Sequence, residues 1–538
     1  MARRAWGAMR LLPWTLGLVA CFPELSESDL PVVEESAGDS ESGTWDSSDS
    51  NDSAPDSANT GDSDDSGMDT DDSDLPVDPD FDGDGVTIGN GDCDDTSDEI
   101  YPGAFDSPDS IGQDSNCDGW DGDLADSVFV DPSFGDDALD GGSPEDAVRT
   151  MERAFQRATD GERTWVLVRG GELAFSTPAE GVNIAGGYDW ATGAMGADPT
   201  ILVLPASGVE VYNWNQPTTW LHLAFESANA NPGQSAYGVV VRNVEQLTWI
   251  DVAIRAGNGG AGTAGSNGTA GHSGSSGSPG GQGCESSGEA WCDHCSGPGQ
   301  ALGGTNASCP GAYGGNGGYA GYGTSSGQYG TAGGVGTSAV GAAGVGGASI
   351  GEFSVATYLP AHGTAGLPGG YGSGGAGGLG GYGGDDYCDS YGGGGGGGGA
   401  GGCGGGGATG GTGGGGSFGL VVIDSAIALV GVSVWTGTGG AGGAGGAGGA
   451  GGAGGSGGVG GGGQDDSGSG LNGTSGAAGG RGGHGGGGGG GPSIPLVCLN
   501  ASPSLEGLAL FPGVGGVGGT SSGSGGGSGL TTPHWGCE

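Results

Sequence analysis

The chain has 538 residues, of which 63 are acidic and 11 basic, for a formal net charge of −52 at pH 7. Such a surface repels nucleic acid and anionic headgroups and attracts divalent cations, which excludes nucleic-acid binding. Every basic residue is arginine, so Schiff-base and lysine general-base chemistry are excluded as well.

Arg3, Arg4 and Arg10 precede a short apolar run, Leu11 to Ala20. That order predicts an export signal, with a run too short to span a bilayer. Leu18-Val19-Ala20-Cys21 resembles the lipobox of bacterial lipoproteins. The resemblance implies loss of residues 1–20, acylation of Cys21, and a membrane anchor through the lipid. The protein would then sit in the bacterial cell envelope, at the outer membrane or cell surface. An ordinary signal peptide with a chance cysteine is the alternative.

Setting Cys21 aside leaves ten of the 11 cysteines, an even number for an oxidising compartment, so disulfides are expected. Proximity and position pair Cys93 with Cys117, Cys388 with Cys403, and Cys498 with Cys537. Cys284, Cys292, Cys295 and Cys309 are left open. Cys292-Asp293-His294-Cys295 also has zinc-ligand character, but it lacks the second half of a spaced pair.

Residues 21–78 are Asp, Ser, Glu, Gly and Pro with few apolar side chains. They cannot bury enough surface to offset ordering, so a disordered, self-repelling acidic tether is expected, or an acidic interaction tail.

Residues 79–124 form a separate module. Asp80-Phe81-Asp82-Gly83-Asp84-Gly85 places carboxylates at alternate positions before a turn-forming glycine, as calcium loops do. The EF-hand ending fails, because Gly91 stands where a bidentate Glu belongs. Asp92-Cys93-Asp94-Asp95, Pro102-Gly103-Ala104-Phe105-Asp106 and Asp114-Ser115-Asn116-Cys117-Asp118-Gly119 follow. This order resembles the MopE-type metal-binding motif of bacterial surface proteins, with Asp106 for the usual Glu and Ile111-Gly112 for Asp-Gly. The resemblance implies a cation held by Asp80, Asp82, Asp84, Asp92, Asp94, Asp95, Asp114 and Asp118, and a loop closed by Cys93 and Cys117. Copper is proposed for some members, whereas the all-oxygen ligands here suit Ca2+. A disulfide-closed acidic linker without metal is the bland alternative.

From residue 125 the composition becomes globular. A strand is expected at Val128–Val130. Ser143-Pro144 then reads as the cap and first residue of a helix carrying Val148, Met151, Ala154, Phe155 and Ala158 at helical spacing. Strands are expected at Thr164–Arg169, Val182–Ala185, Thr200–Leu204, Val209–Tyr212 and Trp220–Phe225. This opening resembles pectin-lyase-like proteins, implying an all-β, right-handed parallel β-helix capped by the first helix.

Three segments repeat: Gly238–Gly260, Gly419–Gly440 and Pro495–Gly516. Each has an apolar triplet, an Asn or Asp (Asn243, Asp424, Asn500), a second apolar strand, and a glycine. Stacking is expected to bring together Val240, Val422 and Cys498, and separately Ile254, Val434 and Leu510. Glycine-rich insertions then leave one corner at about 257–417, 437–492 and 513–529. Glycine's entropy argues that they are disordered. The alternative is a bundle of three-per-turn extended helices packed through bare backbone, studded by Tyr313, Tyr319, Tyr322, Tyr329, Tyr371 and Tyr382. Loop length costs stability only logarithmically, so residues 440–490 read as dispensable to the core.

No nucleophile elbow, P-loop or zinc-protease motif occurs. The reading is a calcium-binding, non-enzymatic surface lipoprotein displaying glycine-rich loops for adhesion, with an unnamed extracellular partner and polysaccharide one candidate. A polysaccharide lyase or hydrolase is the alternative, with Arg242, Asp251 and Arg255 as its candidate residues.

Overall fold

Apolar alternation along short runs, broken by Asn, Asp and Gly, gives strands that must stack to bury their inner faces. In a computed structural model they do so as three mostly parallel sheets. The structure describes residues 79–538 except 176, 286–294, 355–356, 386–389 and 538. The signal, Cys21, the tether, Cys292, His294 and Cys388 lie outside the described residues.

Successive segments visit the sheets in a fixed order. Ala236–Arg242, Leu247–Ile250 and Ala253–Ala256 lie in the first, second and third sheets. Ser417–Ile423, Ile427–Val430 and Ser433–Thr436 repeat the path, then Ser493–Leu499, Ser504–Glu506 and Ala509–Phe511. Ile254, Val434 and Leu510 pair in one row, as expected. The other row is shifted by one residue: Val241, Val422 and Cys498 pair in the main core, while Val240 pairs with Val421. A one-residue slip reverses the face. Val240 accordingly packs outside the first sheet with Val421 and Val497.

Left-handed residues turn the chain between sheets. Asn213, Asn243, Asp424 and Asn500 have φ of 60, 54, 47 and 58°. Asn and Asp tolerate that region best among residues with a Cβ. Asn243 Nδ2 donates to Asn213 Oδ1 and Asn500 Nδ2 to Asp424 Oδ1, both at 3.0 Å. His222 turns likewise (φ 52°), splitting the single strand expected at Trp220–Phe225 into Thr218–Leu221 and Leu223–Ser227.

The helix, α1, spans Met151–Gly161 and buries Met151, Ala154, Phe155 and Ala158. It starts later than Ser143-Pro144 suggests. Val148 donates its N–H to Phe129 and accepts from Asp131, so it is held as a β-bridge, and Thr150 becomes the cap.

The described residues of the glycine-rich insertions are ordered, against the entropy argument for disorder. The strands of the third sheet run on as extended segments 257–283, 437–463 and 513–520. Segments 392–416 and 467–492 return into the first sheet. The outgoing segments bond each other at every third residue: Gly262 N–H to Ala441, Gly265 to Ala444, and Gly442 to Val517. The preceding repeat bridges this corner with residues 228–235 alone. Period three is the polyproline-II repeat, with about 3.1 Å rise per residue.

Segment 392–416 lies at the centre. Consecutive N–H groups of Gly393, Gly394 and Gly395 donate to Gly468, Gly281 and Gly318 on three different neighbours. Side chains are excluded because neighbouring carbonyls occupy their space: a Cβ on Gly398 would lie 2.0 Å from Gly375 O, and one on Gly402 2.0 Å from Gly452 O. The face toward 257–283 alternates with larger residues and holds Ala400, Cys403, Thr409 and Thr412. Cys403 bonds to Cys309, not to Cys388. Segments 437–463 and 467–492 flank this centre, donating to it and accepting from it. Residues 440–490 are therefore two bonded segments flanking the bundle's centre.

Gly398→Ala should lower stability by about 3 kcal/mol or prevent bundle formation, as overpacking does. Ala450→Ser, on an exposed row, should be neutral. Thermal unfolding of both variants is the check.

Candidate metal centre

Side-chain carboxylates curl the loop at Asp80 onto itself. Asp80 accepts from Gly83 N (2.6 Å) and Gly85 N (3.1 Å), Asp82 from Asp84 N (3.1 Å), and Asp84 from Val86 N (2.7 Å). Gly83 and Gly85 take φ of 85 and 97°, where a Cβ is disfavoured. One carboxylate oxygen from each of Asp80, Asp82 and Asp84 consequently falls within 4.8 Å of the others.

Asp92 and Asp95 are buried beside them, at 4% and 5% exposure. Gly91 (φ 104°) ends the short helical turn Ile88–Asn90 and delivers Asp92 just past the position an EF-hand Glu would hold. Asp95 accepts from Phe81 N at 3.3 Å. Burial raises its carboxyl above the usual range, and the charges of Asp92, Asp82 and Asp80 add to the effect. Asp82, Asp84, Asp92 and Asp95 each keep a buried Oδ2 with no hydrogen-bond partner. Orphaned, like-charged oxygens are costly unless a cation completes them. The residues fit a hard divalent ion held by oxygen alone.

Asp94 is not part of this group. It is exposed and caps a turn through Thr96 N and Oγ1. Asp114 and Asp118 belong to a second loop, joined to the first by the Cys93–Cys117 disulfide. Asp114 accepts from Asp118 N (3.1 Å) and Gly119 N (2.8 Å), Asn116 from Asp118 N (3.0 Å), and Asp118 from Trp120 N (3.0 Å).

The second loop is anchored to the sheets. Trp120 packs edge-on to Phe129 and stacks on Tyr188, at 5.2 and 6.2 Å between centroids. Asp121 N donates to Gly193 O (2.9 Å), and the Tyr188 hydroxyl donates to the Asp121 main-chain oxygen (2.7 Å). Burial, then Asp109 and Asp106, push the Asp121 carboxyl up to about 7. Burial also raises Asp106, with Asp114 and Asp118 adding charge repulsion. Sequence reading missed Asp121 and left Asp106 out of the ligand set; only the structure shows that both are buried.

The remaining candidates separate. Arg242 pairs with Glu210 (2.6 Å), Asp251 with His222 (2.6 Å) and Arg255 with Glu226 (2.8 Å), each on a different strand neighbour. They do not form one constellation. Cys295 is bonded to Cys284, which removes it as a zinc ligand, and Cys498 is bonded to Cys537 as expected. No protein-family model matches the sequence, and comparison with curated proteins and with solved structures finds no match.

Folded Asp121 keeps its proton to about pH 7, whereas the unfolded carboxyl releases it near its ordinary 3.8. Relative to Asp121→Asn, metal-free protein should therefore lose stability as pH rises between those values. Denaturant unfolding in chelator across that window measures the difference.

Proposed function

We propose that this protein is an exported, lipid-anchored surface protein. In it a right-handed parallel β-helix, held at one end by calcium-binding loops and closed by α1, carries a rigid glycine bundle for contact with an uncharged extracellular polymer. The fixed order of the sheets supports the β-helix, since parallel crossovers are right-handed almost without exception. The orphaned carboxylates of Asp82, Asp84, Asp92 and Asp95 support calcium. Export and acylation at Cys21 rest on the lipobox resemblance, and disulfides suit the oxidising compartment it implies.

The observation that carries the contact reading is a row on segment 301–322. Tyr313, Asn316, Tyr319 and Tyr322 recur every third residue, about 9 Å apart by polyproline-II geometry. Tyr313 and Tyr319 are 51% and 48% exposed, and Tyr329 on the adjoining segment is 87% exposed. Gly334 N bonds Tyr313 O and Gln328 N bonds Tyr319 O, so the platform is fixed. Arg481 is the sole charged residue in the bundle segments 257–283, 301–321, 327–348, 361–383, 391–416, 437–463, 467–492 and 513–530. A neutral platform bearing spaced rings suits a neutral polysaccharide, whose sugar faces stack on aromatic side chains, and offers nothing to a polyanion.

Retention on an insoluble neutral polysaccharide should fall about tenfold for Tyr313→Ala/Tyr319→Ala, at about 0.5–1.5 kcal/mol per ring. Equal retention of wild type and variant would remove polysaccharide as the partner. Mass spectrometry of the mature N-terminus should show acylated Cys21; cleavage elsewhere with Cys21 unmodified would remove the anchor.

A further inference from the structure

The stack of sheets is covered at one end and bare at the other. At the first end, α1 packs on Ser127–Val130 and Trp165–Arg169 and buries Met151, Ala154, Phe155 and Ala158 in the main core. At the other end the core comes to the surface. Along one inward row Trp220, Trp249 and Leu429 are 0, 0 and 1% exposed, yet the next residue in register, Leu505, is 50% exposed. Along another, Phe225, Ile254 and Val434 are fully buried, whereas Leu510 is only partly covered. Stacked repeats ordinarily finish in a capping unit with a polar outer face.

The backbone is bare there as well. Ser504–Glu506 and Ala509–Phe511 are the last strands of the second and third sheets, with no strand beyond them among the described residues. The first sheet gains one more strand, His534–Trp535, of two residues. The same end continues into the bundle, where 513–520 is the last outgoing segment and Val514 and Val517 are 68% and 67% exposed. In a chain of net charge −52, residues 493–537 hold one carboxylate, Glu506, and no arginine. Two such ends can approach without the repulsion that the rest of the chain imposes.

We infer that this bare end is the interface of a homodimer, in which a second copy of the chain is seated end to end on the first. Three strand edges must be met at once, at the angles of the stack's own cross-section, and the core between them must be continued. A single helix or loop meets one edge; a second stack of the same cross-section meets all three. Unpaired edges are templates for such pairing. Because α1 covers the opposite end, copies join only bare end to bare end, a two-fold contact that stops at two. Burying Val514 and Val517 also requires the bundle corner, between the third and first sheets, to lie over the same corner of the partner. That sets the two-fold axis across the middle of the second sheet. Ser504–Glu506 then pairs with its own copy in antiparallel fashion, Leu505 opposite Leu505 and Ser504 opposite Glu506. The inference uses the stacked sheets alone and does not rest on the lipid, calcium or polysaccharide readings.

Mature chain carrying Cys21→Ser, so that no lipid gathers the copies, should sediment at the mass of two chains in micromolar solution. Leu505→Asp sets two carboxylates face to face and should raise the dissociation constant at least about a hundredfold, as loss of a central interface residue does. Leu505→Lys should do the same. Mixed in equal amounts, these two variants should restore a dimer containing one of each, which misfolded chains do not. Val514→Asp/Val517→Asp, on the bundle side, should weaken the dimer about tenfold. Leu302→Asp should leave it unchanged, since Leu302 is 61% exposed beside the first outgoing segment, where it accepts from Ser278 N. A chain that stays monomeric, assemblies that grow beyond two, or a dimer that Leu505→Asp leaves intact would overturn the interface. Failure of the two Leu505 variants to pair with each other, while both keep the wild-type circular dichroism, would overturn the two-fold register.

Discussion

Backbone-to-backbone contact without intervening side chains is the constraint on which this molecule depends. In the bundle a neighbour's carbonyl oxygen stands where a Cβ would be, 1.9 Å from that position at Gly317, Gly404 and Gly486 and 2.1 Å at Gly395. Glycine is required there for space, not for conformational freedom, since none of these residues takes a positive φ. Each such glycine loses more entropy on ordering than alanine would, by about 0.5–1 kcal/mol. A backbone hydrogen bond returns about as much. The balance favours order where most residues of a segment are bonded at once, as along 392–416.

That constraint also sets how many glycines each segment carries. Segment 257–283 packs one face inward and has glycine at every third position, with Thr263, Ser266 and Thr269 outward. Segment 437–463 packs two faces and reads Gly-Gly-Ala. Segment 392–416 packs all three and is almost pure glycine. Composition thereby encodes depth, in the way that alternation of apolar and polar residues encodes the two faces of a strand.

Much of the sheet architecture was legible because its signals are local. Asn243, Asp424 and Asn500 mark equivalent turns, and aligning the repeats on them pairs Val241 with Val422. Aligning on the apolar triplets loses one residue, because three consecutive valines give no phase. The bundle was legible only as an alternative, since entropy is read from one segment while its compensation lies in several others. At the first acidic loop, the alternate spacing singled out Asp80, Asp82 and Asp84, whose carboxylate oxygens do converge. The burial of Asp121 was not legible, because it is bonded to Tyr188 and Gly193, far along the chain.

The change of period from two to three explains how sheet and bundle join without a break. A strand rises about 3.3 Å per residue and polyproline II about 3.1 Å, so neighbouring segments stay nearly in step across the junction. In the sheets, Val434 and Leu496 fill the space between the first and third layers. Beyond Gly437 and Pro492 glycines replace the residues between the two layers, and Gly440 and Gly491 from those same layers bond directly through Gly491 N–H to Gly440 O at 2.8 Å. Two layers separated by a hydrophobic core thus close into a solid hydrogen-bonded body. Gly416 and Ser417 mark the switch on the incoming side, where the Ser417 hydroxyl donates to Gly257 O at 2.7 Å. The junction holds because both forms leave backbone groups pointing sideways at each residue, and only the presence of a Cβ decides how closely the next layer can approach.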